Sequence, residues 1–397
     1  MAEKRPLEVD DTCPSDCSEE ARESKRAKNE KRFPSPIKSE ALQKATEGVV
    51  PNNTKQSTRW ALNTFLTWAR ERNKRCPDEE IDETIFCCPD AERVSHVLCL
   101  FTLEARKVDG ERYPPSILRN LLSGLNREFV KNKVTFGIFD KNDHRFTELR
   151  NTLDSVNSQL HRDGIGVSTN HAEVLTVQDE DLCWEKGTLG VSSLTVLQHT
   201  VFFYIGLHFV LRSVQEQYDL MVSQLKRVPE DLTVYDRNIY YQYSEYISKN
   251  NVHFFTDAKM KNKVVAAYAQ PGSSRCLVSL LDRYLPLLPS GTEHVYMRPA
   301  KEFSADSPAY YRQRVGINTI KKFVHLITSG AGLVGYTNHC LRATAMTRMF
   351  NSGVPEKVIA DKSGHRSLDG LRAYEHPNEE LYRAAEEIIS DPTKKFD

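Results

Sequence analysis

The spacing of apolar residues divides the chain into three stretches. Residues 1–52 are polar, contain Pro and Ser and are poor in aromatics, a composition that favours disorder over a packed core. From Thr54 to Gly164 apolar residues recur at helical spacing. "STRWALNTFLTWARERN" sets Trp60, Leu62, Phe65 and Trp68 as a stripe along one helix face, and "AERVSHVLCLFTLEARK" and "PPSILRNLLSGLNREFVKN" repeat the pattern. The prolines opening the latter suit a helix first turn. "FTELRNTLDSVNSQLHRDG" ends on Gly164, a C-cap residue. Residues 54–164 therefore read as a small helical bundle whose aromatic stripe is core.

A linker over residues 165–175 leads to the third stretch, residues 176–390. "SLTVLQHTVFFYIGLHFVLRSVQEQYDL" predicts a strongly apolar helix that ends near Arg212. "RNIYYQYSEYISKNNVHFFTDAKMKNKVVAAYAQP" changes to aromatic and β-branched residues broken by a polar turn, the signature of a β-hairpin or a three-stranded meander. "SSRCLVSLLDRYLPLL" and "YRQRVGINTIKKFVHLITSGAG" return to a helical pattern. The expected class is mainly α with a small β-hairpin or sheet, an α+β chain.

Composition narrows the classes. The 397 residues suffice for two domains and a tail, and 39% hydrophobic with 27% charged residues describes a foldable, soluble chain. No apolar run reaches membrane-spanning length, and the N-terminus lacks a signal-peptide core. The 54 basic and 54 acidic residues balance, which argues against a uniformly basic coat but leaves room for a local basic groove. Nine scattered cysteines without paired C-x-x-C sets read as reduced thiols, not disulfides or zinc ligands. "KRAKNEKR" (Lys25 to Arg32) is a cluster of nuclear-import type or a solvated charge run, and "IKSE" after Ser35-Pro36 resembles, weakly, a SUMO acceptor.

Candidate chemistry gathers in "NHCLRATAMTRMFNSGVPEKVIADKSGHRSLDGLRAYEHP". Asn338 is placed to cap a helix that carries His339 and Arg342 three apart on one face. Gly353 and Pro355 turn the chain into a second short helix, Gly364 closes it just before His365, and Ser367 caps a third that carries Tyr374. A guanidinium fork neutralises the two non-bridging oxygens of a phosphodiester by bidentate bonds. A free phenol ionises only at about pH 10, so Tyr374 needs nearby positive charge or a proton acceptor to act as a nucleophile. A second Arg would complete the phosphate clamp, and a Lys would protonate the departing oxygen. Singly, H-x-x-R is as common as a surface ion pair and Tyr374 as a packing residue; the combined spacing carries the reading.

This block resembles the C-terminal motif block of tyrosine recombinases, the family of phage integrases and Cre. The preceding stretches resemble its metazoan Crypton branch, whose domain also stands at the C-termini of MYM-type zinc-finger proteins. The resemblance, over residues 54 to 390, implies a helical SAM-like core-binding domain followed by a catalytic domain, together holding double-stranded DNA. It maps the first catalytic arginine onto Arg212 in "FVLRSVQEQYDL" and the catalytic lysine onto Lys249 in "YYQYSEYISKNN", with Lys259, Lys261 and Lys263 as competitors. It further implies Tyr374 as nucleophile, Arg212, His339, Arg342 and His365 as phosphate-holding residues, self-association on DNA during synapsis, and residence in the nucleus. Because the bond energy is kept in a phosphotyrosyl ester, neither metal nor nucleotide cofactor is implied. Two positions depart from the pattern: the acidic residue often found three after the first arginine is Gln215, with Glu216 one later, and His365 stands where some members have Trp. The rival classes are a domesticated, non-catalytic DNA-binding or transcription-regulating protein, a type IB topoisomerase, which the core-binding domain disfavours, and a helical scaffold with coincidental residues.

Overall fold

The computed structural model describes residues 37–42, 50–166, 173–231, 236–245, 262–301, 308–375, 377, 379–391 and 393. The basic cluster at Lys25 to Arg32, the Ser35-Pro36 step and the hairpin lysines Lys249, Lys259 and Lys261 lie outside these residues. The chain divides into two compact units, Met1–Thr169 and Asn170–Asp397. Each is mainly helical, and the second holds two small antiparallel sheets, so the class is α+β.

In the first unit α1 (Asn52–Arg75) packs on α3 (Pro115–Lys131), and α2 (Ala91–Glu104) on α4 (Thr147–Arg162). The Asp90 carboxylate accepts from the Glu92 and Arg93 amides to start α2, and Gly164 takes φ +73° just beyond α4. The buried row of α1 is Ala61, Phe65 and Ala69, whereas Trp60 is 40% exposed with its ring edge against Tyr113. Of the expected stripe, Phe65 is buried and Leu62 and Trp68 pack half-buried against the core, while Trp60 turns outward and small Ala61 takes the contact with α3. A Cβ on Gly124 of α3 would stand 2.4 Å from the Ala61 Cβ. Behind this contact Phe65, Phe86, Phe129, Phe136 and Phe146 form a chain of tilted and edge-on rings.

The second unit begins with α5 (Val177–Glu185), α6 (Leu194–His208) and the short α7 (Val214–Tyr218). Strands β1 (Leu225–Val228), β2 (Tyr240–Ser244) and β3 (Val264–Tyr268) form a meander in that order. Helix α8 (Leu277–Tyr284) and strands β4 (Met297–Pro299) and β5 (Tyr310–Arg314) follow. The chain ends in α9 (Ile317–Ile320), α10 (Phe323–Gly330), α11 (His339–Asn351), α12 (Glu356–Ser363), α13 (Leu368–Arg372) and α14 (Glu379–Ser390).

Helix α6 is apolar on every side and accordingly central, with α8, α10 and α11 packed around it. Gly206 makes the α11 crossing close: a Cβ there would meet Leu341 Cδ1 at 2.6 Å. In the meander Tyr241, Tyr243, Val265 and Ala267 alternate inward onto this core. Buried Arg227 of β1 and Tyr241 of β2 both bond Asp282 of α8, at 3.0 and 2.8 Å, tying sheet to helix.

Two elements differ from expectation. The meander's first strand comes from Leu225–Val228, upstream of the stretch that signalled it. The segment read as a helix from Tyr311 begins as β5, which pairs with β4 and sinks Tyr310 into the core, its hydroxyl donating to the Leu194 carbonyl at 2.7 Å. The helical run starts only after Gly316. Among the described residues no helix is long and apolar enough to cross a membrane, and Cys76, Cys87, Cys88, Cys99, Cys183, Cys276 and Cys340 are free thiols.

Candidate active site

Four separate elements of the second unit bring Arg212, His339, Arg342, His365 and Tyr374 to one open concavity of about 340 Å³, which Gly364, Arg366 and Ser367 complete. Arg212 leaves the end of α6 just before α7, whose first turn Ser213 caps. Its backbone amide donates to the Glu216 carboxylate at 2.5 Å, and its guanidinium donates to the Gly364 carbonyl. Glu216 rather than Gln215 therefore supports Arg212; Gln215 bonds Asp219 instead.

His339 and Arg342 project from the first turn of α11. Asn338 does not cap that helix by its side chain. Its amide ties α11 to the preceding turn, accepting from the Val324 amide at 3.2 Å and donating to the Ile320 carbonyl at 3.1 Å. Arg342 is 2% exposed. One of its terminal nitrogens donates to the carbonyls of Val210 (2.6 Å) and Ser363 (3.1 Å), and the other faces His365 (3.0 Å to Nε2). Burial lowers the Arg342 pKa from the usual guanidinium value, with Arg212 acting in the same direction and Tyr374 against it.

Gly364 takes φ +73° after α12, the left-handed C-terminal conformation that glycine adopts freely. A Cβ there would also lie 3.1 Å from an Arg212 nitrogen. His365 follows, its Nδ1 2.7 Å from Ser363 Oγ. The same Arg342 nitrogen lies 3.2 Å from Nδ1 as well, and since a guanidinium only donates, it meets the ring through whichever of the two nitrogens is unprotonated. Burial, reinforced by Arg342, Arg212 and Lys263, pushes the His365 pKa down to about 4.

Tyr374 lies just beyond α13, half-buried, with its backbone carbonyl accepting from Thr347 Oγ1 at 3.1 Å. Its hydroxyl stands 3.1 Å from His339 Nε2. Enclosure of the His339 imidazole, and then Arg342, lower its pKa, which favours the neutral ring beside the phenol. The His339 and His365 rings stand 5.8 and 5.6 Å from the Tyr374 ring, and the Arg342 guanidinium 5.9 Å. The arrangement offers a hydroxyl with a proton acceptor, set beside two guanidiniums.

Of the hairpin lysines, Lys263 is described: it is buried at the start of β3, and its stem passes within 3.2 Å of a Cβ built on Gly364. Lys249 lies outside the described residues. Sequence reasoning missed Ser363 and Thr347, which act through bonds that no spacing announces, and Arg366 in the wall beside the Gly-His step; Ser367 caps α13 as expected and lines that wall as well. Among the described residues no group of three or more His, Cys, Asp or Glu is placed to hold a metal ion.

Two family models match the chain: a domain of unknown function (DUF3504) over residues 174–329, and the phage integrase family over residues 291–380. Among curated proteins, human uncharacterized protein KIAA1958 is 23% identical over 286 residues, covering 70% of this chain and 38% of its own length. Human transcriptional regulator QRICH1 is 25% identical over 291 residues (67% and 35%), and human zinc finger MYM-type protein 2 is 24% identical over 279 residues (64% and 20%). The match thus spans well under half the length of these relatives. Among solved structures, the XerH site-specific recombinase bound to its palindromic difH substrate aligns with a TM-score of 0.49 at 16% identity, covering 85% of this chain and 80% of that one. The Tn1549 transposon integrase in complex with transposon right end DNA gives 0.43 at 14%, covering 88% and 97%. The matched phage integrase segment, residues 291–380, is the part of the chain that carries His339, Arg342, His365 and Tyr374.

Proposed function

We propose that this protein cleaves and rejoins double-stranded DNA through a 3′-phosphotyrosyl intermediate, in site-specific recombination or integration of a Crypton-type element. The observation that carries this reading is the Tyr374 hydroxyl, 3.1 Å from His339 Nε2 in the concavity lined by Arg212, Arg342 and His365. In the reaction the Tyr374 oxygen attacks phosphorus and its proton passes to His339. The P–O5′ bond breaks, leaving a phosphotyrosyl ester on the 3′ side and a 5′-hydroxyl whose proton comes from Lys249. Rejoining reverses the step, with the 5′-hydroxyl as nucleophile. Arg212 and Arg342 neutralise the non-bridging oxygens as charge builds in the transition state. Once Arg342 turns from it to the phosphate, His365 would donate to a non-bridging oxygen in the tautomer protonated on the nitrogen that faces the substrate. The chemistry requires no metal and no nucleotide cofactor.

Both units are proposed to contact DNA, with copies of the chain associating on it during synapsis. Nuclear entry is proposed to rest on Lys25 to Arg32. A second reading, a nuclear DNA-binding protein that regulates transcription without cutting, is favoured by the names of relatives such as transcriptional regulator QRICH1. One experiment separates the two. Incubation with a pool of nicked duplexes is expected to trap a denaturant-resistant adduct on Tyr374, and Tyr374→Phe is expected to bind the same DNA and trap none. Binding without any adduct in the wild-type chain would favour the regulatory reading; an adduct mapped to Tyr382 would move the nucleophile.

A further inference from the structure

The chain leaves α6 through a conformation that its own residue disfavours. Val210 has φ +49°, a left-handed backbone that β-branched residues avoid and that helix ends normally give to glycine. Its side chain explains the choice of residue: it is fully buried against Met346, Ile359 and Leu371, and a glycine would leave that cluster unfilled. What holds the backbone is on the other side of the turn. The Lys263 ammonium donates to the carbonyls of both Phe209 and Val210, the latter at 3.1 Å, while Arg342 donates to the same Val210 carbonyl. Two residues later the chain presents Arg212.

The Lys263 ammonium is 5.9 Å from the Tyr243 ring centroid, and Lys263 is not among the residues that line the concavity. Burial, and then Arg342, lower its pKa well below the usual lysine range, with Glu216 and Glu245 opposing. A donor to the leaving oxygen has to reach the substrate, and this nitrogen is turned toward two main-chain carbonyls instead. We propose that Lys263 is a positioning residue, which holds the strained Phe209–Val210 turn so that Arg212 is aimed into the concavity, and that it does not protonate the leaving group. The catalytic consequence rests on the DNA-cleavage reading above; the structural one does not.

The test uses the full chain and two independent readouts. In the first, hydrogen exchange at the Leu211 to Ser213 amides is compared between wild type and Lys263→Met, which keeps the aliphatic stem. Exchange at least tenfold faster in the variant, with the α11 amides unchanged, is expected; unchanged exchange at Leu211 to Ser213 overturns the proposal. In the second, single-turnover cleavage is measured on normal DNA and on DNA with sulfur in place of the bridging 5′ oxygen, whose thiolate leaves without a proton. Lys263→Met is expected to lose about 100-fold on both substrates with DNA affinity retained, the size of effect typical of a lost catalytic contact. Selective restoration by sulfur would make Lys263 the proton donor and overturn the proposal. Should Lys263→Met fail to fold, Lys263→Arg keeps donors for the carbonyls and is expected to cleave within about tenfold of wild type; a guanidinium is too weak an acid to replace a proton donor, so a large loss rescued by sulfur overturns the proposal in that variant too. If wild type cuts no DNA at all, the functional reading fails, and the exchange experiment alone decides the role of Lys263.

Discussion

Arg342 buries a full positive charge, and among the described residues no carboxylate is hydrogen-bonded to it: two backbone carbonyls and a histidine edge face its N–H groups. Leaving those carbonyls bare is costly, whereas the charge itself is held at the expense of desolvation. Arg342→Met is therefore expected to lower both fold stability and adduct formation, and Arg342→Lys to rescue neither fully, because an ammonium cannot bridge Val210, Ser363 and His365 at once. Cleavage should fall by about 100- to 1000-fold on normal and sulfur-substituted DNA alike, as expected of a group that stabilises charge on the non-bridging oxygens. A second residue-scale prediction concerns pH. Burial pushes the His199 pKa down to about 4, so between about 6.5 and 4 the unfolded chain binds a proton that the folded chain does not. Stability then falls as pH drops through that window, by at most about 3 kcal/mol from this one residue. Replacing His199, which lies against the Phe323 ring, by Leu should flatten that part of the curve in denaturant titrations at pH 7, 6, 5 and 4.5.

At the scale of elements, two glycines govern how the site is assembled. Gly206→Ala drives a methyl group into Leu341 and should cost about 1–3 kcal/mol by pushing α11 from α6, seen as a lower melting temperature. Gly364→Ala forces positive φ on alanine and crowds the Arg212 guanidinium. Here about 1–2 kcal/mol of stability should be lost, and cleavage should suffer more than DNA binding. The sequence made the helical elements legible because their apolar periodicity is strong, and β2 and β3 because aromatic and β-branched residues cluster there. It hid the short β1 and β4, and it hid β5 because that strand carries polar positions: Tyr311, Arg312 and Gln313 of β5 all face solvent. The same contrast holds in the site. His339, Arg342, His365 and Tyr374 sit within forty residues and are visible as a spacing, and Arg212 was reached by resemblance. Ser363, Thr347 and the support of Arg212 by Glu216 depend on which loops the fold brings together.

At the scale of the molecule, a formal charge of zero hides a local concentration of cations, Arg212, Lys263 and Arg342, offset in part by Glu216 and Glu245. DNA affinity is accordingly expected to fall steeply with salt, since each neutralised phosphate releases counterions. A log–log slope near zero between 50 and 200 mM salt (on the order used for such titrations) would argue against a phosphate-centred interface. Deleting Lys25 to Arg32 from a fluorescent fusion should shift it to the cytoplasm without changing cleavage in vitro, and an unchanged distribution would reduce the cluster to a solvated run.

The cations of the site are bonded less to acids than to main-chain carbonyls supplied by distant parts of the chain: Arg212 to Gly364, Arg342 to Val210, Lys263 to Phe209. During synthesis Arg212 and the hairpin leave the ribosome long before Gly364 and Tyr374 exist, and domains fold as whole units once complete. A chain that stops before Ser363 thus has neither Tyr374 nor the Gly364 carbonyl that Arg212 bonds, and Arg342 keeps only its Val210 partner. If the DNA-cleavage reading holds, a nascent chain is expected to form no adduct until Gly364 and Tyr374 have been added, so the order of translation would itself keep shorter fragments inert.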